Sequence, residues 1–278
     1  MTELKKLTQS VCTIAKQAGN YIREERQRFN AGSVEHKHAH DYVSYVDKQS
    51  EKMIVESLRK LLPEAGFITE EGLAQHTDEA YCWVVDPLDG TTNFLHCFPP
   101  YAVSIALIKG EEILLGVVYE ICADECFFAW KNGRAFVQKG DNAPPTLLRV
   151  SRQAFTDALV CAQLPYNNEA YSPVAQSLIR LLYGQVASIR MLGSAAIALC
   201  YVAAGRLDAY VEKYIGQWDY MAGALIVTEA GGMVTDYSGS ARFNQGNSVI
   251  ATNGLWHTTM QETVDRACKE KACNEEEG

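Results

Sequence analysis

No stretch of this chain approaches the roughly 20 consecutive apolar residues that a membrane-spanning helix requires. A basic region followed by an apolar core and a cleavage site is also missing, so no export signal is expected. The nine cysteines include no C-x-x-C pair, and Cys122 and Cys126, four apart, have no second pair at zinc-site spacing. An odd number of cysteines without an export signal implies reduced thiols in the cytoplasm. Positive charge is short as well. The 25 Lys and Arg are outnumbered by 34 Asp and Glu, a net charge of −9, which argues against nucleic acid as the main partner. There is no internal repeat. What remains is the composition of an ordinary soluble globular protein of 278 residues.

Apolar residues at helical spacing (Leu7, Val11, Ile14, Ala18, Ile22) predict a helix over residues 3–28. Val43, Val46, Met53, Ile54, Leu58 and Leu61 mark a second, stopped by Pro63 and Gly66. A short strand, Phe67 to Thr69, leads into Glu70 and Glu71. Strand-like runs at 102–108, 113–119 and 126–130 read as an antiparallel meander. The best linker is Gly140 to Thr146. Beyond it, strands at 159–162, 208–212, 233–236 and 248–252 alternate with helices around 171–183, 195–204, 218–230 and 255–270. The pattern predicts an α+β or α/β protein built as layers of helix and sheet, divided at 1–145 and 146–278.

The most informative stretch is Trp83 to Phe94, WVVDPLDGTTNF. An apolar strand ends at Asp86, Pro87 breaks the ladder, and Asp89 follows. Gly90, Thr91 and Thr92 then leave backbone N–H groups accessible. Carboxylates hold hard cations such as Mg²⁺ together with substrate phosphates, and free N–H groups at a helix start or in a nest take phosphate oxygens. Alone, the same residues also fit an ordinary strand–turn with an Asx turn and a helix cap. Asp219, in the first turn of an apolar helix, fits a cap equally well. Glu212 fits a surface acid at a strand end.

In combination the segments are more specific. FITEEG, then WVVDPLDGTTNF, then WDYMAGALIVTEAGG, together with DYVSYVD at 41–47 and LGSAA at 192–196, resemble the inositol monophosphatase family. That family belongs to the Mg²⁺-dependent, lithium-sensitive phosphatases, which include the fructose-1,6-bisphosphatases. The resemblance covers nearly the whole chain. It implies a layered αβαβα sandwich and a phosphomonoesterase, commonly homodimeric, acting on inositol 1-phosphate or a similar small polyol phosphate. It also implies two or three Mg²⁺ per site. Glu70, Asp86 and the carbonyl of Leu88 would hold one ion, and Asp86, Asp89 and Asp219 another. Glu70 and the Thr91 hydroxyl, the latter oriented by Asp47, would direct a water onto the phosphate without a phosphoenzyme. Gly90 and Thr91 would bind phosphate oxygens through their N–H groups. Asp89, Ser194, Ala195, Ala196 and Glu212 would contact the substrate hydroxyls. Glu71 and Lys37 are secondary candidates, for a looser third ion and for a lysine on a mobile loop.

Three features depart from this picture. His36, His38 and His40 form an H-x-H-x-H pattern that on a strand would share one face, as in a transition-metal site. The family comparison makes them loop residues. Tyr220 and Met221 stand where smaller residues are common, and are expected to reshape the pocket wall. Leu164, Pro165 and Tyr166 occupy a stretch where some members contact substrate. The same chemistry on fructose 1,6-bisphosphate, 3′-phosphoadenosine 5′-phosphate, NADP or histidinol phosphate stays open. Two other classes are a non-catalytic binding protein and a zinc hydrolase. The latter would survive loss of Asp89 but not of His38.

Overall fold

The computed structural model describes residues 3–28, 34–38, 41–73, 79–164, 171–241 and 247–276. Two helices open the chain, α1 (Glu3–Arg28) and α2 (Tyr45–Leu61), separated by a two-stranded ribbon, β1 (Val34–His38) and β2 (Asp41–Ser44). The ribbon corrects two expectations. His36, Lys37 and His38 lie on a strand rather than in a loop, paired antiparallel with β2, whereas His40 lies outside the described residues. The second helix starts at Tyr45, so Val43 belongs to β2 and Asp47 to the first helical turn.

A seven-stranded sheet follows: β3 (Gly66–Thr69), β4 (Tyr81–Asp89), β5 (Ala102–Lys109), β6 (Glu112–Glu120), β7 (Glu125–Trp130), β8 (Ala135–Lys139) and β9 (Thr146–Leu147), in sequential order. Only the β3–β4 pair is parallel. A short helix, α3 (Thr91–Leu95), interrupts it after β4. The second sheet holds β10 (Leu159–Ala162), β11 (Ser188–Arg190), β12 (Ala209–Lys213), β13 (Met233–Thr235) and β14 (Ser248–Thr252), in the order β11-β10-β12-β14-β13. Helices α4 (Ser172–Leu182), α5 (Ala195–Ala203), α6 (Gln217–Glu229) and α7 (His257–Glu276) complete the fold.

Alternation along the strands explains the layers. On β4 and β5, Trp83, Val85, Val103, Ile105 and Leu107 pack with α1 and α2, while Cys82, Val84, Ala102, Ala106 and Ile108 pack with α5 and α6. Both faces are buried, so these strands read as continuous apolar runs rather than as alternating ones. Helices α5 and α6 lie between the two sheets, and α4 and α7 cover the far face of the second. The order is helix, sheet, helix, sheet, helix, as expected. None of the helices among the described residues is long and apolar enough to cross a membrane.

The middle layer sets the position of Asp219. Helix α6 is buried from Tyr220 to Val227, as a helix enclosed between sheets must be. It lies so close to β6 that a Cβ on Gly116 would meet the carbonyl oxygen of Ala222 at 2.5 Å. Gly116→Ala must therefore push α6 off the sheet, with an overpacking cost of about 2 kcal/mol. Urea denaturation is expected to show that loss, and phosphatase assays a loss of rate as Asp219 is displaced.

Candidate active site

Asp86 and Asp89 are three residues apart, so on a regular strand they would point to opposite faces. They do not, because β4 bulges between them. Asp86 pairs with Ser104 and Asp89 with Ala102, three steps on β4 against two on β5. The extra residue restores parity, and both carboxylates face the middle layer. Pro87, with no N–H for the ladder, sits in the bulge. Asp86 Oδ1 accepts the N–H of Leu88 at 2.8 Å, and the carbonyl of Pro87 accepts the Ser50 hydroxyl at 3.1 Å.

Asp219 arrives from α6. Its Oδ2 accepts the Gly216 N–H at 2.8 Å, so the expected cap is real. It is also a neighbour of the other acids, since Asp86, Asp89 and Asp219 offer oxygens within 4.8 Å of one another. The Ser104 hydroxyl, donating to the Trp218 carbonyl at 3.1 Å, ties the start of α6 to β5. Glu70, whose N–H donates to the Val85 carbonyl at 3.2 Å, lines the same cavity, as do Leu88, Gly90, Thr91, Ser194, Ala195 and Glu212. Gly90 has φ +88 and starts α3, and a Cβ there would meet the carbonyls of Gly193 and Pro100 at 3.1 Å. The N–H groups that open α3 have no carbonyl four residues back to pair with. The Thr91 hydroxyl lies 3.1 Å from Asp47 Oδ1 and 3.0 Å from the Leu88 carbonyl, and Asp47 is fully buried.

The structure bears on five of the sequence readings. The turn Ser194–Ala195–Ala196 directs its donors at Asp89. The Ser194 hydroxyl and the N–H groups of Ala195 (3.2 Å) and Ala196 (2.9 Å) all reach that carboxylate, and Ala196 does not line the cavity. Tyr220 and Met221 are fully buried in the core behind Asp219 and form no part of the cavity wall. Glu71 also stays out of the cavity. Glu212 is no surface acid, since it lines the cavity and takes a hydrogen bond from the Tyr210 hydroxyl. Leu164 lies outside the cavity lining, and Pro165 and Tyr166 lie outside the described residues.

Two residues were missed. Buried Glu51 accepts the N–H groups of Glu71 and Leu73, both at 2.8 Å, and so fixes the turn that carries Glu70. Its place on the inner face of α2, four residues after Asp47, was the only signal. Gln163 lines the cavity, and no sequence motif marked it.

Burial and mutual repulsion dominate the electrostatics. Burial pushes Asp86 well above the usual carboxylate range, and the charges of Glu70, Asp89 and Asp219 add to it. Asp219 is raised for the same reasons, by burial and then by Glu70, Asp89 and Glu212. Burial lifts Asp89 to about 6 against the opposing hydrogen bonds from Ser194, Ala196 and Ala195. It lifts Glu212 to about 8, with the Tyr210 hydroxyl opposing. None of the ion pairs among the described residues reaches Asp86, Asp89 or Asp219. An all-oxygen, all-anionic donor set of this kind fits a hard divalent cation.

A sequence profile of the inositol monophosphatase family matches residues 3–271. The chain belongs to the inositol monophosphatase family. It is 39% identical over 233 residues to an inositol-1-monophosphatase of Rhizobium meliloti (strain 1021), covering 83% of this chain and 85% of that one. It is 40% identical over 260 residues to a protein of Pseudomonas aeruginosa named Nus factor SuhB, with 90% and 92% covered. Among solved structures, an IMPase of Thermotoga maritima superimposes with TM-score 0.83 at 31% identity, covering 94% of this chain and 97% of that one. As a member of the inositol monophosphatase family, the protein is a metal-dependent phosphomonoesterase.

Proposed function

We propose that this phosphatase hydrolyses a small, neutral polyol monophosphate, inositol 1-phosphate first among them, with two or three Mg²⁺ per site. The observation that carries the reading is the meeting of Asp86, Asp89 and Asp219 within 4.8 Å in a cavity that Glu70, Thr91 and Glu212 also line. Glu70, Asp86, the Leu88 carbonyl, Asp89 and Asp219 would hold the ions. When bound, Mg²⁺ supplies positive charge for the phosphoryl and leaving oxygens and makes a nearby water more acidic. The chain supplies position. The Thr91 hydroxyl, between Asp47 and the Leu88 carbonyl, has acceptors for its own proton and so turns a lone pair toward an attacking water. The N–H groups of Gly90 and Thr91 receive phosphate oxygens. Glu212 accepts a substrate hydroxyl, a contact that a second phosphate, with no such O–H to give, does not make. Glu71 and Lys37 stay candidates for a looser third ion and for an approach to the metal side.

The divided architecture, 1–145 with most acids and 146–278 with Asp219 and Glu212, belongs to the same proposal, as do sensitivity to lithium and a cytoplasmic location. Eight free cysteines among the described residues fit a reducing compartment. A homodimer is supported by exposed Phe98 and Met191, on segments that the Asn93 amide joins through the carbonyls of Pro100 (2.8 Å) and Leu192 (2.7 Å).

The test is Mg²⁺-dependent phosphate release from inositol 1-phosphate, fructose 1,6-bisphosphate, 3′-phosphoadenosine 5′-phosphate, NADP and histidinol phosphate. Preference for inositol 1-phosphate is expected, and preference for a bisphosphate would overturn the neutral-polyol reading. Relatives named Nus factor at up to 40% identity favour a second reading, a non-catalytic role of the folded chain beside turnover. Asp89→Asn separates the two, because it removes turnover and leaves the outer surface intact.

A further inference from the structure

Gln163 follows β10 directly, and its N–H donates to the Val211 carbonyl at 3.0 Å, which carries the β10–β12 ladder one step past the strand. Its side-chain Oε1 accepts the Gly193 N–H at 3.1 Å. That donor fixes which way round the carboxamide sits, because only its oxygen accepts. Gly193 is itself closely packed. It has φ +72, and a Cβ there would come within 2.9 Å of Asn93 Oδ1. The Asn93 amide is anchored at both the Pro100 and Leu192 carbonyls. The oxygen end of Gln163 is therefore tied to a closely packed turn. Its Nε2 carries two N–H donors, and none of the protein's hydrogen bonds among the described residues uses them. Gln163 lines the active-site cavity together with Glu212, whose Oε2 already accepts the Tyr210 hydroxyl.

We propose that Gln163 is a specificity-determining residue, whose Nε2–H donates to a substrate hydroxyl oxygen while Glu212 accepts a substrate O–H. A hydroxyl both donates and accepts, so a donor and an acceptor in one cavity recognise neutral hydroxyls away from the scissile phosphate. A carboxylate or second phosphate satisfies Gln163 but brings no O–H for Glu212 to accept. This deepens the polyol-phosphate reading and rests on it.

Two variants test the inference. Gln163→Glu keeps an oxygen for the Gly193 N–H and removes both donors. Gln163→Met removes the oxygen as well. KM and kcat are measured with inositol 1-phosphate, and the inhibition constant Ki with inorganic phosphate, which occupies the metal and phosphate positions alone. In both variants the ratio of KM to Ki is expected to rise roughly fivefold, the scale of one net hydrogen bond, with kcat changed by less than about twofold, as loss of uniform binding requires. A ratio that stays at the wild-type value in either variant overturns the inference. So does a fall in kcat with KM and Ki moving together, the mark of a residue that only props Gly193. Failure of the polyol-phosphate reading is visible separately, as no release from inositol 1-phosphate by the wild-type protein, and it takes this inference with it.

Discussion

Asp89→Asn is expected to lower phosphate release by about 10³-fold, the scale on which loss of one preorganised electrostatic contact acts, while the chain stays folded. The side chain keeps its size and one acceptor oxygen for the Ser194 hydroxyl and the Ala196 N–H. The site loses one of the three carboxylates whose oxygens meet within 4.8 Å. The new amide nitrogen faces the Ala195 N–H, a donor against a donor, and that local misfit lowers stability. Relief of a buried, repelled charge works the other way. Near-native thermal unfolding with lost turnover is the expected pair of results. A zinc hydrolase built on His36, His38 and His40 would instead keep its activity in this variant.

Metal-free protein is expected to lose stability steadily as pH rises from about 4.5 to about 8, and Mg²⁺ is expected to restore it. Glu212 moves from an ordinary 4.5 to about 8 on folding, and Asp89 from 3.8 to about 6. Across that window the folded protein holds protons that the unfolded chain has released, so stability must fall as pH increases. Below it both states are protonated, and the penalty vanishes. Cation binding needs deprotonated carboxylates, so Mg²⁺ binds more tightly as pH rises. Saturating Mg²⁺, at about 100 times its Kd, adds about 2.7 kcal/mol. Thermal melts at pH 5.5 and pH 8, with EDTA or Mg²⁺, are expected to show the larger Mg²⁺-induced rise in Tm at pH 8. An equal or smaller rise at pH 8 would contradict the placement of these acids in one desolvated cluster.

The layers and the principal acids were legible because they rest on local chemistry. Apolar runs buried on both faces announce central strands, and Pro87 between Asp86 and Asp89 announces a broken ladder. What that break achieves is a matter of register against β5. Pairing Asp86 with Ser104 and Asp89 with Ala102 turns two acids to one side, and no single-strand pattern contains that information. Asp219 fits a cap on its local sequence and is one, and its meeting with Asp86 and Asp89 comes from the packing of α6 beside β4 and β5. The resemblance implies substrate contacts for Ser194, Ala195 and Ala196, and the first two line the cavity. The start of α5, at the end of the Asp89 carboxylate, uses those donors within the protein. Glu51 and Gln163 stayed hidden for the same reason. Each acts on a backbone N–H far along the chain, Glu51 on Glu71 and Leu73, Gln163 on Gly193.

The central claim is that the acids brought together by β4 and α6 make the chain a metal-dependent phosphatase. The most direct test is to strip the wild-type protein with EDTA, then titrate Mg²⁺ while following phosphate release from inositol 1-phosphate. The account predicts no release from the stripped protein and recovery that saturates with Mg²⁺. Full turnover in the presence of EDTA would contradict it.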